Sequence, residues 1–313
     1  MALHGIRVIE MAGLAPAPFC GMIMADFGAS VIRVDKPRTP DIDRLGRGKH
    51  SIVLDVKKPE GRNIVKRICT NADVLIEPYR RGVMEKMGLG PEELMKTNPR
   101  LIYARLTGFG QSGPSADMAG HDINYVALSG LLSLLGRREG PPTPPINLLA
   151  DFAGGGLMCA LGIALALFER SKSGQGQVID ANMVEGAAYT GTWLYASRDL
   201  QIWGKSRGCN LLSFYQVFAG KDACVTPVLT LDEAPLHPHN AQRGSFIPSS
   251  TPGYFEPGPA PRFSRTPGTA GTAAPKCGQH TLEILAQLGY SKDEIEQLLL
   301  NEVAIVAKEK AHL

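Results

Sequence analysis

The sequence lacks the patterns that identify several common classes of protein. No Gly-x-Gly-x-x-Gly fingerprint follows the first predicted strand, so a nicotinamide or flavin site is not indicated. The 6 cysteines form no Cys-x-x-Cys pair and have no histidines at metal-ligand spacing, which favours reduced thiols in an intracellular protein without a metal. The stretch from Phe152 to Phe168 carries no charge over 17 residues, fewer than the roughly 20 that span a bilayer. We therefore expect a buried core helix there and no membrane span.

A strong charge bias is also absent. The 33 basic and 30 acidic residues leave a net charge of +3, which is too mild to indicate a nucleic-acid partner. The hydrophobic share of 44% and the charged share of 20% are typical of a soluble globular protein. The N-terminal residues are interrupted by Gly13 and Pro16 and do not fit a secretory signal. A chain of 313 residues is long enough for one large domain or two.

Apolar segments of strand length alternate with helical segments along the first two thirds of the chain. The predicted strands are Ile6–Glu10, Val31–Val34, Ser51–Leu54, Val74–Ile76, Leu101–Ala104 and Gln177–Asp180. The predicted helices are Pro18–Asp26, Glu60–Cys69, Pro91–Lys96, the core helix and Met183–Ser197. This alternation predicts an α/β fold around a buried parallel sheet.

The composition changes after Pro235. From there to Pro275 the chain is rich in Pro, Gly, Ser and Thr, which is typical of an extended connection. Two helices are predicted beyond it. The first is Thr281–Leu288, and the second is opened by a capping box that begins at Ser291.

The stretch from Gly120 to Gly156 carries the residues suited to acid–base chemistry. It opens with Gly-His-Asp-Ile-Asn-Tyr and closes with Leu-Ala-Asp-Phe-Ala-Gly-Gly-Gly. His121 can gain or lose a proton near pH 7, and a partly buried Asp151 can act as its partner. The three glycines would let backbone N–H groups approach an oxyanion at a helix N-terminus. The alternatives are a structural histidine and a glycine run that serves close packing.

These two motifs, together with Leu128-Ser129-Gly130, resemble the α-methylacyl-CoA racemase branch of the family III CoA-transferase superfamily. The resemblance runs from Met1 to about Leu212 and continues more loosely from Phe214. It implies a Rossmann-like large domain and inversion of C2 in 2-methyl-branched acyl-CoA thioesters, intermediates of branched fatty acid and bile acid metabolism. CoA is then part of the substrate, and no cofactor or metal is required.

The resemblance also assigns residues. His121 would take the proton from one epimer and Asp151 from the other. The residues that match the family's CoA contacts are Lys36, Leu54, Asp55, Val56, Lys57, Gly120, Asp122, Ile123, Asn124 and Tyr125. Relatives carry Arg at the position of Lys36, so we expect a weaker grip on phosphate here. Two alternatives stay open: a CoA-transferase with Asp151 as nucleophile, and a weakly active protein that binds acyl-CoA.

Basic residues cluster on or beside the loops after the second and third predicted strands. They are Arg33, Lys36, Arg44, Arg47, Lys49 and Lys57. In an open α/β sheet such loops lie where ligands bind, and Lys and Arg suit the three phosphates of CoA. A solvated basic surface is the alternative interpretation. Arg80 and Arg81 are weaker candidates for the same role.

The resemblance breaks near Leu212. Relatives continue there with a long segment that forms much of a small domain, and this chain passes directly to Phe214. We therefore predict a CoA-binding large domain over residues 1–205, a remnant of the small domain over 206–232, and a C-terminal segment over 233–313 that returns to the large domain. The resemblance implies a homodimer, if the small domain is intact, with each active site between the large domain of one subunit and the small domain of the other. Because much of the small domain is missing, we expect acyl-CoA binding with weakened proton exchange.

The resemblance also suggests a location, because members of the family reside in peroxisomes and mitochondria. The sequence ends in Ala311-His312-Leu313, which is similar to the Ser-Lys-Leu peroxisomal signal. We expect the protein in both compartments.

Overall fold

The structure is a computed structural model that describes residues 1–38, 43–136, 140–197, 232–236, 238–249, 253–259, 266–271 and 273–307. Its centre is a seven-stranded sheet in the order β6-β5-β4-β1-β2-β3-β9. The strands are β1 (Arg7–Met11), β2 (Ser30–Asp35), β3 (Lys49–Leu54), β4 (Val74–Glu77), β5 (Ile102–Thr107), β6 (Val178–Asn182) and β9 (Ala304–Ile305). The first six are parallel, and β9 runs antiparallel to β3. A separate antiparallel hairpin pairs β7 (Phe246–Pro248) with β8 (Phe255–Pro257).

Helices cover the two faces of the sheet. They are α1 (Pro16–Asp26), α2 (Pro59–Thr70), α3 (Val83–Lys86), α4 (Pro91–Thr97), α5 (Asp122–Leu128), α6 (Met158–Ser173), α7 (Met183–Thr190), α8 (Thr192–Ala196), α9 (Pro238–Arg243), α10 (Thr281–Gln287) and α11 (Lys292–Leu300). Short 3₁₀ turns lie at Leu131–Leu134 and Ala234–Leu236, and a π-helix over Leu148–Leu157 leads directly into α6.

The sheet is buried on both faces, as the near-continuous apolar strands require. One core cluster packs α1 and α6 against the sheet, and the other packs α2, α4 and α10 against the opposite face. In α2, Ile64, Val65 and Ile68 recur at helical spacing and are buried. Burial of each such side chain contributes about 1.5–3 kcal/mol.

The sequence prediction of an α/β fold with a returning C-terminal segment is confirmed. Because β1 lies between β2 and β4, the chain leaves β1 in one direction and β4 in the other, which creates a topological switch point at their carboxyl ends. The return is made by β9 on β3 and by the Thr281 hydroxyl, which accepts a hydrogen bond from the Val53 N–H (3.2 Å). The junction near Leu212 and the segment 206–232 lie almost wholly outside the described residues.

The core helix differs from its prediction. The π-helix and α6 together span Leu148–Ser173, which is 26 residues long and contains an 18-residue window with a mean hydropathy of 1.8. Its length and composition would allow it to cross a membrane, but core helices of soluble proteins meet the same two criteria. One face packs in the core through Cys159 and Ile163. The other face carries an exposed apolar stripe, composed of Leu157, Leu161, Leu165 and Phe168. The helix is therefore buried on one side.

Short elements account for most of the other differences. The helix predicted over Met183–Ser197 is interrupted at Gly191, where a Cβ atom would lie 2.5 Å from Leu131. Helices α3 and α5 and strand β9 are too short for periodicity to identify. The predicted capping box is confirmed: the Ser291 N–H donates to the Glu294 carboxylate at 2.7 Å, and the Glu294 N–H donates to the Ser291 hydroxyl at 3.3 Å.

Candidate active site

A cavity of about 460 Å³ lies at the carboxyl ends of the parallel strands, beside the switch point. The loops after β1, β2, β4 and β5 form its floor, and the starts of α5 and α7 close its sides. Its lining includes Gly13, Lys36, Tyr79, Arg80, Thr107, Phe109, Met118, His121, Tyr125, Asp151 and Met183. The structure thus brings His121 and Asp151 to one cavity, as their flanking motifs predict.

The backbone at His121 is fixed by the start of α5. His121 is the N-cap residue, and its N–H donates to the Asn124 side-chain oxygen at 2.9 Å. The Asn124 N–H in turn donates to the His121 carbonyl at 2.8 Å. The imidazole itself is exposed and faces the cavity. A fixed backbone with an accessible ring suits a group that exchanges protons with a ligand.

Asp151 has a different environment. It lies in the first turn of the π-helix and is half-buried. Burial and, less strongly, the neighbouring Asp122 carboxylate raise the pKa of its carboxyl to about 6, against the opposing effects of Asn147 and His121. A carboxyl with a pKa of about 6 can both accept and donate a proton near neutral pH. π-helical turns occur frequently at functional sites.

Asp122 holds the two segments together. Its carboxylate is 5% exposed, and Oδ2 accepts hydrogen bonds from the Ala150 and Asp151 N–H groups, both at 2.8 Å. The side chain is directed into the protein, so a predicted CoA contact at Asp122 is left to its backbone. The neighbouring candidates differ: Ile123 and Asn124 are exposed, and Gly120 and Tyr125 line the cavity.

The glycine run has a packing role and does not form an oxyanion site. Gly154, Gly155 and Gly156 are buried inside the π-helix. A Cβ atom on Gly154 would lie 2.4 Å from the Ala187 nitrogen, and one on Gly186 would lie 1.8 Å from the Gly154 carbonyl oxygen. Close approach of two helix backbones therefore requires these glycines. The hypothesis that their N–H groups meet an oxyanion is wrong, because the helical backbone and α7 enclose them.

The basic cluster divides into internal ion pairs and exposed cations. Arg33 is buried and pairs with Asp35 at 2.9 Å, and Arg47 pairs with Asp26 at 2.6 Å. Lys49 is fully buried, and its ammonium contacts Glu10 at 2.7 Å. The prediction that Arg33 and Lys49 bind phosphate is wrong, since each is buried and neutralised inside the fold, and the partly buried Arg47 is held by Asp26 and Glu256. The exposed members of the cluster are Lys36, Arg44 and Lys57.

Lys36 and Lys57 lie close enough to interact. Burial lowers the pKa of Lys36, and the charge of Lys57 lowers it further. The Lys36 ammonium lies 4.5 Å from the centre of the Tyr79 ring. In the loop after β3, the side chains of Leu54 and Val56 pack in the core, so any ligand contact there is made by backbone atoms or by Lys57. Asp55 accepts a hydrogen bond from the Lys57 N–H at 3.0 Å.

Sequence reasoning overlooked the loop after β5. Gly108, Gly110 and Gly113 have the spacing of a glycine fingerprint, and this loop contributes Gly108 and Phe109 to the cavity. The Tyr125 ring packs so closely on Gly108 that a Cβ atom there would lie 2.1 Å from it. Within the described ranges, no cluster of three or more His, Cys, Asp or Glu residues could hold a metal ion.

Fold and cavity together define an α/β protein of Rossmann strand order with an acid–base pair at its switch point. The family model described as CoA-transferase family III matches residues 3–208 and 210–281, and the chain belongs to that family. It is 47% identical over 383 positions to the human alpha-methylacyl-CoA racemase, with 100% of both chains covered. Since this chain has 313 residues, at least 70 of those 383 positions are opposite gaps in it.

Other relatives place the chain within the wider family. It is 39% identical over 200 residues to a succinyl-CoA–D-citramalate CoA-transferase of Chloroflexus aurantiacus, covering 59% of this chain and 50% of that protein. Among solved structures, a CAIB/BAIF family protein from Brucella suis matches with a TM-score of 0.77 at 24% identity, covering 91% of this chain and 99% of the other. The latter likeness supports the fold.

Proposed function

We propose that this protein is a racemase that inverts C2 of 2-methyl-branched acyl-CoA thioesters. The observation that carries the proposal is the cavity shared by His121 and Asp151, in which one group is an exposed imidazole and the other a half-buried carboxyl with a pKa of about 6. An imidazole and a carboxyl whose pKa is raised to about 6 can each serve as acid or base. Full-length similarity to the human racemase supports the same reaction.

The proposed reaction moves one proton off and another on. The Asp151 carboxylate takes the C2 proton of one epimer, and the electron pair of the C–H bond enters an enolate conjugated with the thioester. Protonated His121 then delivers a proton to the opposite face of C2. For the other epimer, neutral His121 takes the C2 proton and protonated Asp151 delivers one to the opposite face.

Incubation of the protein with a single epimer of a 2-methylacyl-CoA in D₂O tests the proposal. A racemase incorporates deuterium at C2 and produces the other epimer. A protein that binds acyl-CoA without turnover does neither, and this result would overturn the proposal. Binding measured separately by calorimetry distinguishes an inactive site from an unoccupied one.

CoA transfer is the second candidate, and the similarity to a named CoA-transferase favours it. The Asp151 carboxylate would attack the thioester carbonyl, break the C–S bond and release CoA as the thiolate, which leaves a mixed anhydride on the enzyme. An acceptor acid would then be required for turnover. Addition of succinate to the assay, with hydroxylamine as a trap for the anhydride, separates transfer from racemisation.

The exposed stripe that runs from the end of the π-helix along α6 supports a homodimer. Leu157, Leu161 and Leu165 are between 46% and 60% exposed, and Phe168 is 63% exposed. Helical spacing places them in one line, which a second copy of the chain could cover with the same residues. Light scattering of Leu161→Glu and Leu165→Glu variants tests this. We expect both to be monomeric, whereas Ser171→Glu on the same helix keeps the dimer.

We also propose that exchange by this chain is slow. At least 70 positions of the human relative have no counterpart here, in keeping with the absent small-domain segment expected near Leu212. His121 is exposed, so water competes with the ligand for it. Insertion of the relatives' segment between Leu212 and Ser213 should raise C2 exchange about a hundredfold. Equal rates with and without the insertion would contradict this.

Peroxisome and mitochondrion are the proposed compartments, with branched fatty acids and bile acid intermediates as the proposed acyl groups. Both proposals rest on the family resemblance. Imaging of the chain with Leu313 free and with Leu313 masked by a C-terminal tag tests the first. Competition between a branched-chain and a sterol-derived acyl-CoA tests the second.

A further inference from the structure

We propose that Asp122 is a positioning residue, which joins the segment that carries His121 to the segment that carries Asp151. The inference rests on the proposed function, because it concerns how the two proton-transferring groups are held. Its core is a contact between distant parts of the chain: Oδ2 of Asp122 accepts the N–H groups of Ala150 and Asp151 at 2.8 Å each, across 28 and 29 residues.

The contact has the geometry of a helix cap supplied by another element. Ala150 and Asp151 lie in the first turn of the π-helix, where backbone N–H groups lack partners within the helix. A carboxylate at this end is favoured by the helix dipole, here the dipole of a helix that continues to Ser173. The Asp122 side chain therefore fixes the direction in which Asp151 leaves its helix.

The same residue fixes the other side of the cavity. Asp122 follows His121 directly and is the first residue of α5, so a displacement of its side chain moves the His121 backbone. A two-base inversion requires both groups to lie on opposite faces of one carbon, and a misplacement of about 1 Å can cost a hundredfold in rate. One carboxylate that touches both segments sets that separation.

Asp122 also acts through its charge. It is 5% exposed, and its Oδ1 atom is buried without a hydrogen-bond partner among the described residues. After burial, its charge is the next largest cause that raises the pKa of Asp151. A buried and incompletely paired carboxylate is costly, so its retention beside a second carboxyl points to a role in keeping that carboxyl protonatable near pH 7.

Several other titratable groups lie around Asp151, and Asp122 differs from them. His121 faces it from the start of α5 and lowers its pKa, and Tyr125 lies beside it on α5. Arg80 and Lys36 line the same cavity from the loops after β4 and β2. The helices packed on the π-helix also carry titratable side chains, namely Cys20 and Asp26 on α1, Glu185 and Tyr189 on α7, and Cys159, Glu169, Arg170 and Lys172 on α6. Among these described groups, only Asp122 both accepts a hydrogen bond from the Asp151 backbone and raises the pKa of the Asp151 carboxyl.

Two substitutions separate the hydrogen-bonding role of Asp122 from the effect of its charge. Asp122→Asn keeps an oxygen that accepts both N–H bonds and removes the charge. Asp122→Ala removes both. We expect Asp122→Asn to move the acidic limb of the pH–rate profile of C2 exchange to lower pH, because the Asp151 pKa falls. We expect Asp122→Ala to lose exchange about a hundredfold at every pH. Asp180→Asn is the matched control, since the Asp180 carboxylate accepts the Gln111 N–H at 2.9 Å away from Asp151.

A second measurement keeps the inference independent of turnover. ¹³C NMR of aspartate-labelled protein follows the Asp151 carboxyl, assigned by its loss in Asp151→Asn. If the wild-type protein shows no exchange, the proposed function fails, and the NMR titration still tests the link. An Asp151 titration unchanged in Asp122→Asn, or moved equally by Asp180→Asn, would overturn the inference.

Discussion

Two neighbouring regions of the molecule, an acid–base half and a basic half, use charge in opposite ways. The acid–base half, formed by the loops after β4 and β5 and by the segments around His121 and Asp151, keeps a titratable pair facing the cavity. The basic half, formed by β2, β3 and the loops beside them, holds three of its six cations in internal ion pairs, through Arg33, Arg47 and Lys49. Basic residues near the ligand-binding edge of a sheet therefore indicate anion binding only if their side chains are known to be exposed.

The first prediction tests the acid–base half and has the largest expected effect. Asp151→Asn and His121→Gln should each reduce racemisation by about 10²–10⁴-fold, because each removes one proton-transferring group. Each variant should retain C2 deuterium exchange with one epimer, the one that faces the remaining base. Measurement of exchange and inversion on separate epimers checks this. Exchange of both epimers by either variant would show that a third group transfers the proton.

The second prediction tests a buried pair of the basic half. Lys49→Met leaves the Glu10 carboxylate without its partner in a fully buried site and should cost about 3–5 kcal/mol of unfolding free energy. Burial already raises the pKa of Glu10 above its usual value, and Lys49 opposes the rise. A group with a raised carboxyl pKa destabilises the fold as pH rises, so the loss should be larger at pH 8 than at pH 5.

Urea unfolding of three variants measures this difference. Lys66→Met is the matched control, because Lys66 pairs with Glu93 at 2.8 Å on the surface, where a pair contributes under about 1 kcal/mol. The double variant Glu10→Gln with Lys49→Met should recover much of the loss. Equal losses for Lys49→Met and Lys66→Met would remove the distinction between buried and exposed cations.

The third prediction concerns the exposed cations of the basic half. The double variant Lys36→Glu with Lys57→Glu should raise KM for an acyl-CoA about tenfold and change kcat less, because the charges attract phosphate away from the reacting carbon. The effect should weaken as salt is added. Lys96→Glu, exposed on α4 near the amino ends of the strands, is the control and should leave KM unchanged. A fall in kcat alone would contradict a binding role.

The acid–base half was the more predictable from sequence, for a physical reason. His121 and Asp151 stand in long motifs that resemble one family, so the resemblance assigns both residues together. The basic half was predicted from residue type and loop position, which do not state whether Lys49 is directed into the core or into solvent. The parallel sheet was predictable because its strands are apolar segments of strand length that alternate with helical segments. The link through Asp122 could not be predicted, because it depends on a contact across 28 residues.

The smallest expected effect concerns the C-terminal segment that flanks the basic half. The rings of His280 and of His50 on β3 lie 4.6 Å apart, and the His280 Nδ1 atom accepts the Ser51 N–H at 3.1 Å. Burial lowers the pKa of His280, and the neighbouring His50 lowers it further. The unfolded chain therefore binds a proton before the folded one does, and stability falls as pH drops below about 6.5. Water reaches part of the ring, so the loss should stay under about 1 kcal/mol.

His280→Gln keeps an acceptor for the Ser51 N–H and removes the titration, so the difference in urea midpoint between pH 7.5 and pH 5.5 should shrink. His4→Gln, an exposed histidine near the N-terminus, should leave that difference as in the wild type. If both variants respond to pH alike, the C-terminal segment is held to β3 by its apolar contacts and not by a neutral His280.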